Sequence, residues 1–127
     1  ILSREAFFAQ NIHHRCGKED CRHIAVQFKD FELHNLYIPA GGDEPDPHVN
    51  EKYKHKLNFV DEMTDWFSTN YNKDSKLIAL GDFNIAPQEH DVWSSRQLRN
   101  VVSHTEPEIT RLNKMRASVD WVDTARH

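Results

Sequence analysis

The sequence predicts an α/β fold: a mixed sheet with a crossover helix. Three observations favour this class: two adjacent strand-like segments, a long stretch with helical periodicity, and an apolar run that follows it. The order strand, helix, strand is typical of a right-handed crossover between parallel strands. The chain of 127 residues is long enough for one domain with a modest core.

The N-terminal part predicts a loop followed by an antiparallel hairpin. Residues 1–3 are typical of the end of a strand, and the polar stretch 5–20 predicts a long loop. Segment 22–29 alternates between apolar and polar residues, and segment 31–38 predicts a second strand. Because the link between them is very short, we expect the two strands to pair as a hairpin.

Residues 49–71 predict the helix that crosses the sheet. Apolar residues recur there at spacings of three and four, which gives one buried stripe: Val49, Tyr53, Leu57, Val60, Met63 and Phe67. The apolar run that follows predicts a strand over 77–83, buried on both faces as central parallel strands are. We expect this strand to lie parallel to strand 31–38 in one sheet.

A second helix is predicted after residue 105. Thr105 is a suitable N-cap, Glu108 completes a capping box, and Pro107 is tolerated in the first turn. The helix should end near Ala117. We interpret this helix and His104 as structural.

Composition and charge exclude some classes and leave the ligand open. A hydrophobic content of 38% is typical of a folded protein and excludes a disordered chain. No apolar stretch approaches the roughly 20 residues of a membrane span, so we expect no membrane partner. The net charge of −4 gives no overall basic field for nucleic acid. A later segment is nevertheless rich in basic residues, which fits a phosphate-binding stripe or a solvated face equally well.

Two cysteines, Cys16 and Cys21, lie among His13, His14 and His23. This grouping raises the possibility of a zinc site. However, the spacing is looser than that of the usual zinc knuckle, and no second ligand pair follows. We favour a polar surface loop with two reduced thiols, which should bind no metal and form no disulfide under reducing conditions.

Four polar side chains are predicted to meet at the ends of the two parallel strands. Residues two apart share a strand face, so Asn35 pairs with Tyr37, and Asp82 with Asn84 if the extended conformation continues. Sites of open α/β sheets lie at such strand ends. Asp82 would activate a water, Asn84 would bond a phosphate oxygen and Tyr37 would stabilise developing charge, which together suit phosphoryl transfer. Oxygen ligands also suit Mg²⁺.

Each of these residues also has a structural interpretation. A Gly-Asp pair after a strand is commonly a turn, and a strand tyrosine is commonly a half-buried aromatic. Asn35 could satisfy backbone groups at the strand end. Spacing alone leaves the reaction open.

Longer motifs carry a resemblance to a known family. The stretches "NLYIPAGGDEPD" (35–46) and "LIALGDFNIAP" (77–87) resemble the central motifs of the exodeoxyribonuclease III branch, the bacterial AP endonuclease branch of the endonuclease/exonuclease/phosphatase superfamily. Four shorter stretches resemble the same branch: "ILSR", "CRHIAVQF", "DVWSSRQL" and "VDTARH". The resemblance implies a four-layer, DNase I-like α/β sandwich of two packed sheets. Residues 1–127 would be the central fragment of this single domain, without its N- and C-terminal portions.

The resemblance implies a metal-dependent DNA-repair nuclease, with 3′–5′ exonuclease and abasic-site endonuclease activity. Tyr37 matches the tyrosine beside the scissile phosphate, Asp82 the aspartate that handles the proton of the attacking water, and Asn84 the asparagine that orients it. Asp82 and Asn84 would also be ligands of Mg²⁺ or Mn²⁺. The implied partner is double-stranded DNA, especially at abasic sites, and the implied protein is a monomer in the bacterial cytoplasm.

The resemblance also implies DNA contacts outside the catalytic group. Asn35 is a neighbour of the site with a weaker claim. Arg96 and Arg99 lie where the family presents residues to DNA, and Trp93 is either a core anchor or a groove contact. Where the family often has Asn or Gln after the tyrosine-motif proline, this chain has Ala40.

Part of the family's site has no match in this chain. The family's N-terminal Asn and metal-binding Glu would precede residue 1, and its Ser-Asp-His motif would follow residue 127, so we expect the isolated chain to be inactive. Two alternatives stay open: a superfamily phosphatase acting on a small phosphoester, and a non-catalytic module that binds DNA.

Overall fold

A four-stranded mixed sheet is the framework of the protein. The computed structural model of the chain describes residues 1–124 and 126. The strands are β1 (Ala9–Arg15), β2 (Lys18–Gln27), β3 (Glu32–Tyr37) and β4 (Leu77–Asp82). They lie in the order β1-β2-β3-β4; β2 runs antiparallel to both β1 and β3, and β4 runs parallel to β3. The predicted α/β class, the hairpin and the parallel pair are confirmed.

The two long helices begin after capping residues, and α1 begins two residues later than the predicted start at Val49. α1 (Glu51–Asn70) crosses between β3 and β4, and the Asn50 side chain accepts hydrogen bonds from two backbone N–H groups of its first turn. A short 3₁₀ turn (Glu89–Asp91) and α2 (Ser95–Leu98) precede α3 (Glu106–Ser118). The predicted capping box of Thr105 and Glu108 is present at the start of α3. No helix in the described part of the chain is long and apolar enough to cross a bilayer.

The core lies between α1, α3 and one face of the sheet. Its buried residues are Leu36, Ile38, Phe59, Val60, Met63, Phe67, Leu112, Met115 and Val119. Five residues of the predicted helical stripe are buried, Tyr53, Leu57, Val60, Met63 and Phe67, and the last three belong to this cluster. Val49 precedes the helix and is 73% exposed, so it does not belong to the stripe.

The opposite face of the sheet is partly exposed, which corrects one prediction. Strand register places Leu33, Asn35 and Tyr37 beside Ile78, Leu80 and Asp82 on this face. Ile78 is 44% and Leu80 43% exposed, so β4 is covered on one face only, by the helical layer. The apolar run of β4 is therefore continuous because its second face carries Ile78 and Leu80, although no layer among the described residues covers that face.

The N-terminal prediction was wrong. Residues 1–3 form no strand, and the stretch 5–20, predicted as a loop, contains β1 and the start of β2. The turn between them uses Cys16 and Gly17, both at positive φ (53° and 65°). The sequence of β1 shows no clear alternation of apolar and polar residues, because its inner face carries His13 and Arg15 in place of aliphatic residues. This is why the strand was not predicted.

A buried polar cluster replaces aliphatic packing under this hairpin. Arg15 Nη2 donates to His23 Nδ1 at 2.9 Å, so His23 carries its proton on Nε2, which lies 2.9 Å from His34 Nδ1. Trp66 covers the cluster, with its ring 4.6 Å from that of His13. Burial is the main cause that lowers the pKa of His23 to about 2 and that of His34 to about 4.

Candidate functional site

Tyr37 and Asp82 end β3 and β4 and are aligned partners in the parallel ladder. Aligned residues of neighbouring strands project from the same face, about 4.8 Å apart. The Ile38 N–H donates to the Asp82 carbonyl at 2.9 Å, which carries the pairing one step beyond the strands. The phenol and the carboxylate therefore lie side by side on the exposed face, as the predicted topology requires.

Asn84 reaches the same place through a turn. The extended conformation does not continue to Asn84, whose φ of 49° lies in the left-handed region. Its backbone N–H donates to Asp82 Oδ1 at 3.0 Å, and its Nδ2 donates to the Ile38 carbonyl at 3.0 Å. The turn thus ties the end of β4 to the end of β3, and strand alternation plays no part in placing Asn84.

Two side-chain oxygens of this group remain free to bind a ligand. Among residues 1–124 and 126, Asp82 Oδ2 and Asn84 Oδ1 accept no hydrogen bond. Both are oxygens of the kind that hard divalent cations prefer, but Mg²⁺ requires about six ligands. The described residues contain no group of three His, Cys, Asp or Glu arranged to hold a metal. The donors fit such an ion in kind, and they supply only part of its coordination.

Arg22, which was not predicted as a site residue, belongs to this site. Its guanidinium carbon lies 4.7 Å from the centroid of the Tyr37 ring. Its Nε donates to Asp20 Oδ2 at 2.5 Å, while its Nη1 is buried and has no partner in the described part of the chain. An oriented guanidinium beside Tyr37 suits a phosphate oxygen. Alternation in β2 could have placed Arg22 on the Tyr37 face, two residues before Ile24.

The predicted DNA-contact residues lie in two different elements, β3 and the short helix α2. Asn35 lies two residues before Tyr37 on the same sheet face, aligned with Leu80. Arg96 lies in α2 and Arg99 directly after it; both are exposed, and neither forms an ion pair with a described residue. Strand register places Asn35 near Tyr37 and plays no part in placing the two arginines.

Three other residues between β4 and the end of α3 were given an interpretation from the sequence or belong to its basic segment: Trp93, His104 and Arg111. Trp93 is 76% exposed, which excludes the core-anchor interpretation. Arg111 pairs with Asp61 of α1 at 2.9 Å, so the basic segment does not form one free stripe. His104 is buried; its Nδ1 lies 2.7 Å from the Ala86 carbonyl and its Nε2 2.8 Å from the Ser95 hydroxyl.

The cysteines lie on the first hairpin, in place of the predicted polar loop. Both are free thiols; Cys16 is half-buried and Cys21 is exposed. The Cys16 backbone N–H donates to Glu62 Oε2 at 2.8 Å. Burial, together with the Glu62 carboxylate, raises the pKa of the Cys16 thiol to about 11. This thiol is therefore a poor nucleophile near neutral pH.

Comparison with known proteins shows structural relatives only. No protein-family model and no curated protein matches the sequence. An AP endonuclease from Archaeoglobus fulgidus superposes with a TM-score of 0.70 at 24% identity, over 83% of this chain and 40% of that one. The 3′–5′ exonuclease NExo from Neisseria meningitidis gives a TM-score of 0.74 at 22% identity, over 91% and 44%. The structure of 3′ phosphatase NExo from Neisseria bound to a product DNA hairpin gives 0.76 at 20%, over 91% and 44%.

The chain has the fold that these nuclease structures share. The DNase I-like class predicted from the sequence is confirmed. At these identities the likeness concerns the fold alone. The chain spans less than half the length of each of these structures. The stretch "VDTARH" is described only in part, since residues 125 and 127 lie outside the described residues.

Proposed function

We propose that this chain is the part of a DNA-repair nuclease that carries Tyr37, Asp82 and Asn84. The enzyme would hydrolyse DNA phosphodiesters as a 3′–5′ exonuclease and an abasic-site endonuclease of the exodeoxyribonuclease III type. The single observation that carries the proposal is the in-register pair of Tyr37 and Asp82, with Asn84 tied between their strands. It supports a nuclease because the fold around it is that of an AP endonuclease and a 3′–5′ exonuclease.

Each side chain has a chemical role that follows from its free atoms. The free Oδ2 of Asp82 would accept the proton of the attacking water, and Asn84 would orient that water. The Tyr37 hydroxyl and the guanidinium of Arg22, which lies over the Tyr37 ring, would bind the scissile phosphate and stabilise the charge that develops on it. Bound Mg²⁺ or Mn²⁺ would supply Lewis-acid stabilisation, with the Asp82 carboxylate and Asn84 Oδ1 as its ligands from this chain.

The remainder of the site would come from polypeptide outside residues 1–127. Two observations support this: the chain spans 40–44% of its structural neighbours, and one face of β3 and β4 carries exposed Ile78 and Leu80. A second sheet on that face would complete the four-layer sandwich and bring further ligands to Asp82. Duplex DNA would lie across the exposed strand ends, with Asn35, Arg96 and Arg99 as additional contacts.

A second candidate is hydrolysis of a 3′ phosphate from DNA. One of the structural neighbours is described as a 3′ phosphatase bound to a product DNA hairpin. The same residues would serve, because a phosphomonoester and a phosphodiester present similar oxygens to Arg22 and Tyr37.

The test compares three labelled duplexes: one with an internal abasic analogue, one with a recessed 3′ hydroxyl end, and one with a 3′ phosphate. The full-length protein and the 127-residue chain are assayed side by side with Mg²⁺, Mn²⁺ or chelator. We expect metal-dependent cleavage by the full-length protein and no turnover by the isolated chain. Release of phosphate alone would favour the phosphatase, no reaction on any duplex would refute the proposal, and full-rate turnover by the isolated chain would refute the divided site.

A further inference from the structure

A buried lysine lies beneath the candidate site. Lys56 of α1 is fully buried, and its Nζ donates to the Asn84 carbonyl at 2.7 Å and to the Ala40 carbonyl at 3.1 Å. The same ammonium forms an ion pair with Glu108, which is also fully buried. One side chain therefore connects the loop after β3, the turn after β4 and the start of α3.

Glu108 cannot move freely with the lysine, because it is held from the other side. Its carboxylate accepts hydrogen bonds from the Ser103 N–H at 2.9 and 3.0 Å. The Thr105 N–H and hydroxyl donate to its Oε2 at 3.1 and 2.6 Å. Burial lowers the pKa of Lys56, while Glu108 and the nearby Asp82 carboxylate act in the opposite direction.

A buried ion pair is not by itself an efficient source of stability. Desolvation of the two charges offsets most of their attraction, and apolar pairs of similar size are often as stable. What an apolar pair could not do is donate to the two loop carbonyls. Lys56 differs in this respect from the other buried residues of α1 that face the core.

The carbonyl that Lys56 holds belongs to a strained residue. Asn84 is in the left-handed region, where a non-glycine residue persists only when its surroundings hold it. Three hydrogen bonds do so: with Asp82 Oδ1, with the Ile38 carbonyl and with Lys56 Nζ. The aliphatic part of the Lys56 side chain also packs against the loop after β3, since a Cβ on Gly41 would lie 2.9 Å from Lys56 Cδ.

We propose that Lys56, anchored by Glu108, is a positioning residue that holds the Asp82–Asn84 turn in register with the loop after Tyr37. The inference rests on the proposed function, because the turn it holds carries the two free oxygens of the site. Lys56 touches no substrate and acts through the backbone carbonyls of Asn84 and Ala40.

The test separates positioning from simple stabilisation with three variants of the full-length protein. Lys56→Met removes the ammonium and keeps the stem. Lys56→Met with Glu108→Gln also removes the unpaired buried charge, so it should recover much of the thermal stability without restoring the two hydrogen bonds. Met63→Ala is the control: Met63 is fully buried two turns further along the same face of α1 and belongs to the apolar core.

Both lysine variants should lose kcat by on the order of 10- to 100-fold, since small displacements of reacting groups are costly. KM for the abasic duplex should change by less than about threefold, as binding groups remain. Met63→Ala should lose melting temperature and keep its kcat well below melting. Recovery of kcat together with stability in the double variant, or an equal kcat loss in Met63→Ala, would show a structural role only.

A second readout does not depend on DNA cleavage. Hydrogen exchange of residues 82–86, followed by mass spectrometry, should rise in both lysine variants and stay unchanged in Met63→Ala. If the wild-type protein cleaves no DNA, the proposed function fails and hydrogen exchange alone decides the role of Lys56. Unchanged exchange over 82–86 in Lys56→Met would overturn the positioning role whatever the activity.

Discussion

Replacing Gly81 with alanine should be among the most damaging single changes in this protein. Gly81 lies in β4 next to Asp82, at a φ of 127° that side chains rarely adopt. A Cβ at this position would lie 1.9 Å from the carbonyl oxygen of Leu36 and 2.9 Å from its carbonyl carbon. Both atoms are backbone of the neighbouring strand β3, so the clash cannot be relieved by rotating a side chain.

The expected magnitude is the sum of two contributions. The unfavourable φ costs about 1–2 kcal/mol for a residue with a Cβ. The clash adds about 1–3 kcal/mol, typical of overpacking that shifts backbone. The total of about 2–5 kcal/mol is a large part of the roughly 5–15 kcal/mol that stabilises an ordinary domain.

Gly17→Ala is the matched control for this change. Gly17 also has a positive φ, 65°, but a Cβ there would meet no atom within 4 Å. It should therefore show the conformational cost without the clash. Urea unfolding of both variants, with a common slope, gives the two free energies. If Gly81→Ala cost no more than Gly17→Ala, the close approach of β4 to β3 at the candidate site would be wrong.

Three further predictions concern the site and the buried histidines. In the full-length protein, Asp82→Ala should reduce cleavage of an abasic duplex by on the order of 10²-fold or more with DNA binding retained, and Tyr37→Phe should cost less because it removes one hydroxyl; equal losses would contradict these roles. Arg22→Ala should raise KM for the duplex and also lower kcat, because the guanidinium would bind the phosphate and stabilise its developing charge; unchanged kcat and KM in steady-state kinetics would contradict both roles. The pKa values of His23 and His34 are lowered in the folded state, so the unfolded chain binds more protons as pH falls below about 6.5. The free energy of unfolding should keep its full value above that pH and should fall by on the order of 1 kcal/mol per pH unit per histidine toward pH 4. Urea unfolding at a series of pH values measures this, and the free energy should fall less steeply with pH in His34→Phe than in the wild-type protein.

Sequence patterns correctly predicted those elements whose stabilising contacts join residues close together in the chain. The capping box at Thr105 joins residues three apart, and the periodicity of α1 reports which side of one helix is buried. The hairpin of β2 and β3 follows from alternation and a very short link. The parallel pairing of β3 and β4 then follows from crossover handedness, and it places Tyr37 beside Asp82.

The sequence by itself therefore determined the fold class, the crossover unit and the aligned pair Tyr37 and Asp82. The tertiary structure alone decided the features that depend on side chains from distant segments. Strand β1 could not be recognised from the sequence, because its inward-facing side chains are polar. One of them, His13, packs its ring against Trp66. Arg22 joins the site through its contact with Tyr37, and Lys56 reaches carbonyls 16 and 28 residues away. Such contacts carry no local periodicity, because a buried polar group is stabilised by whichever partners the folded chain brings to it.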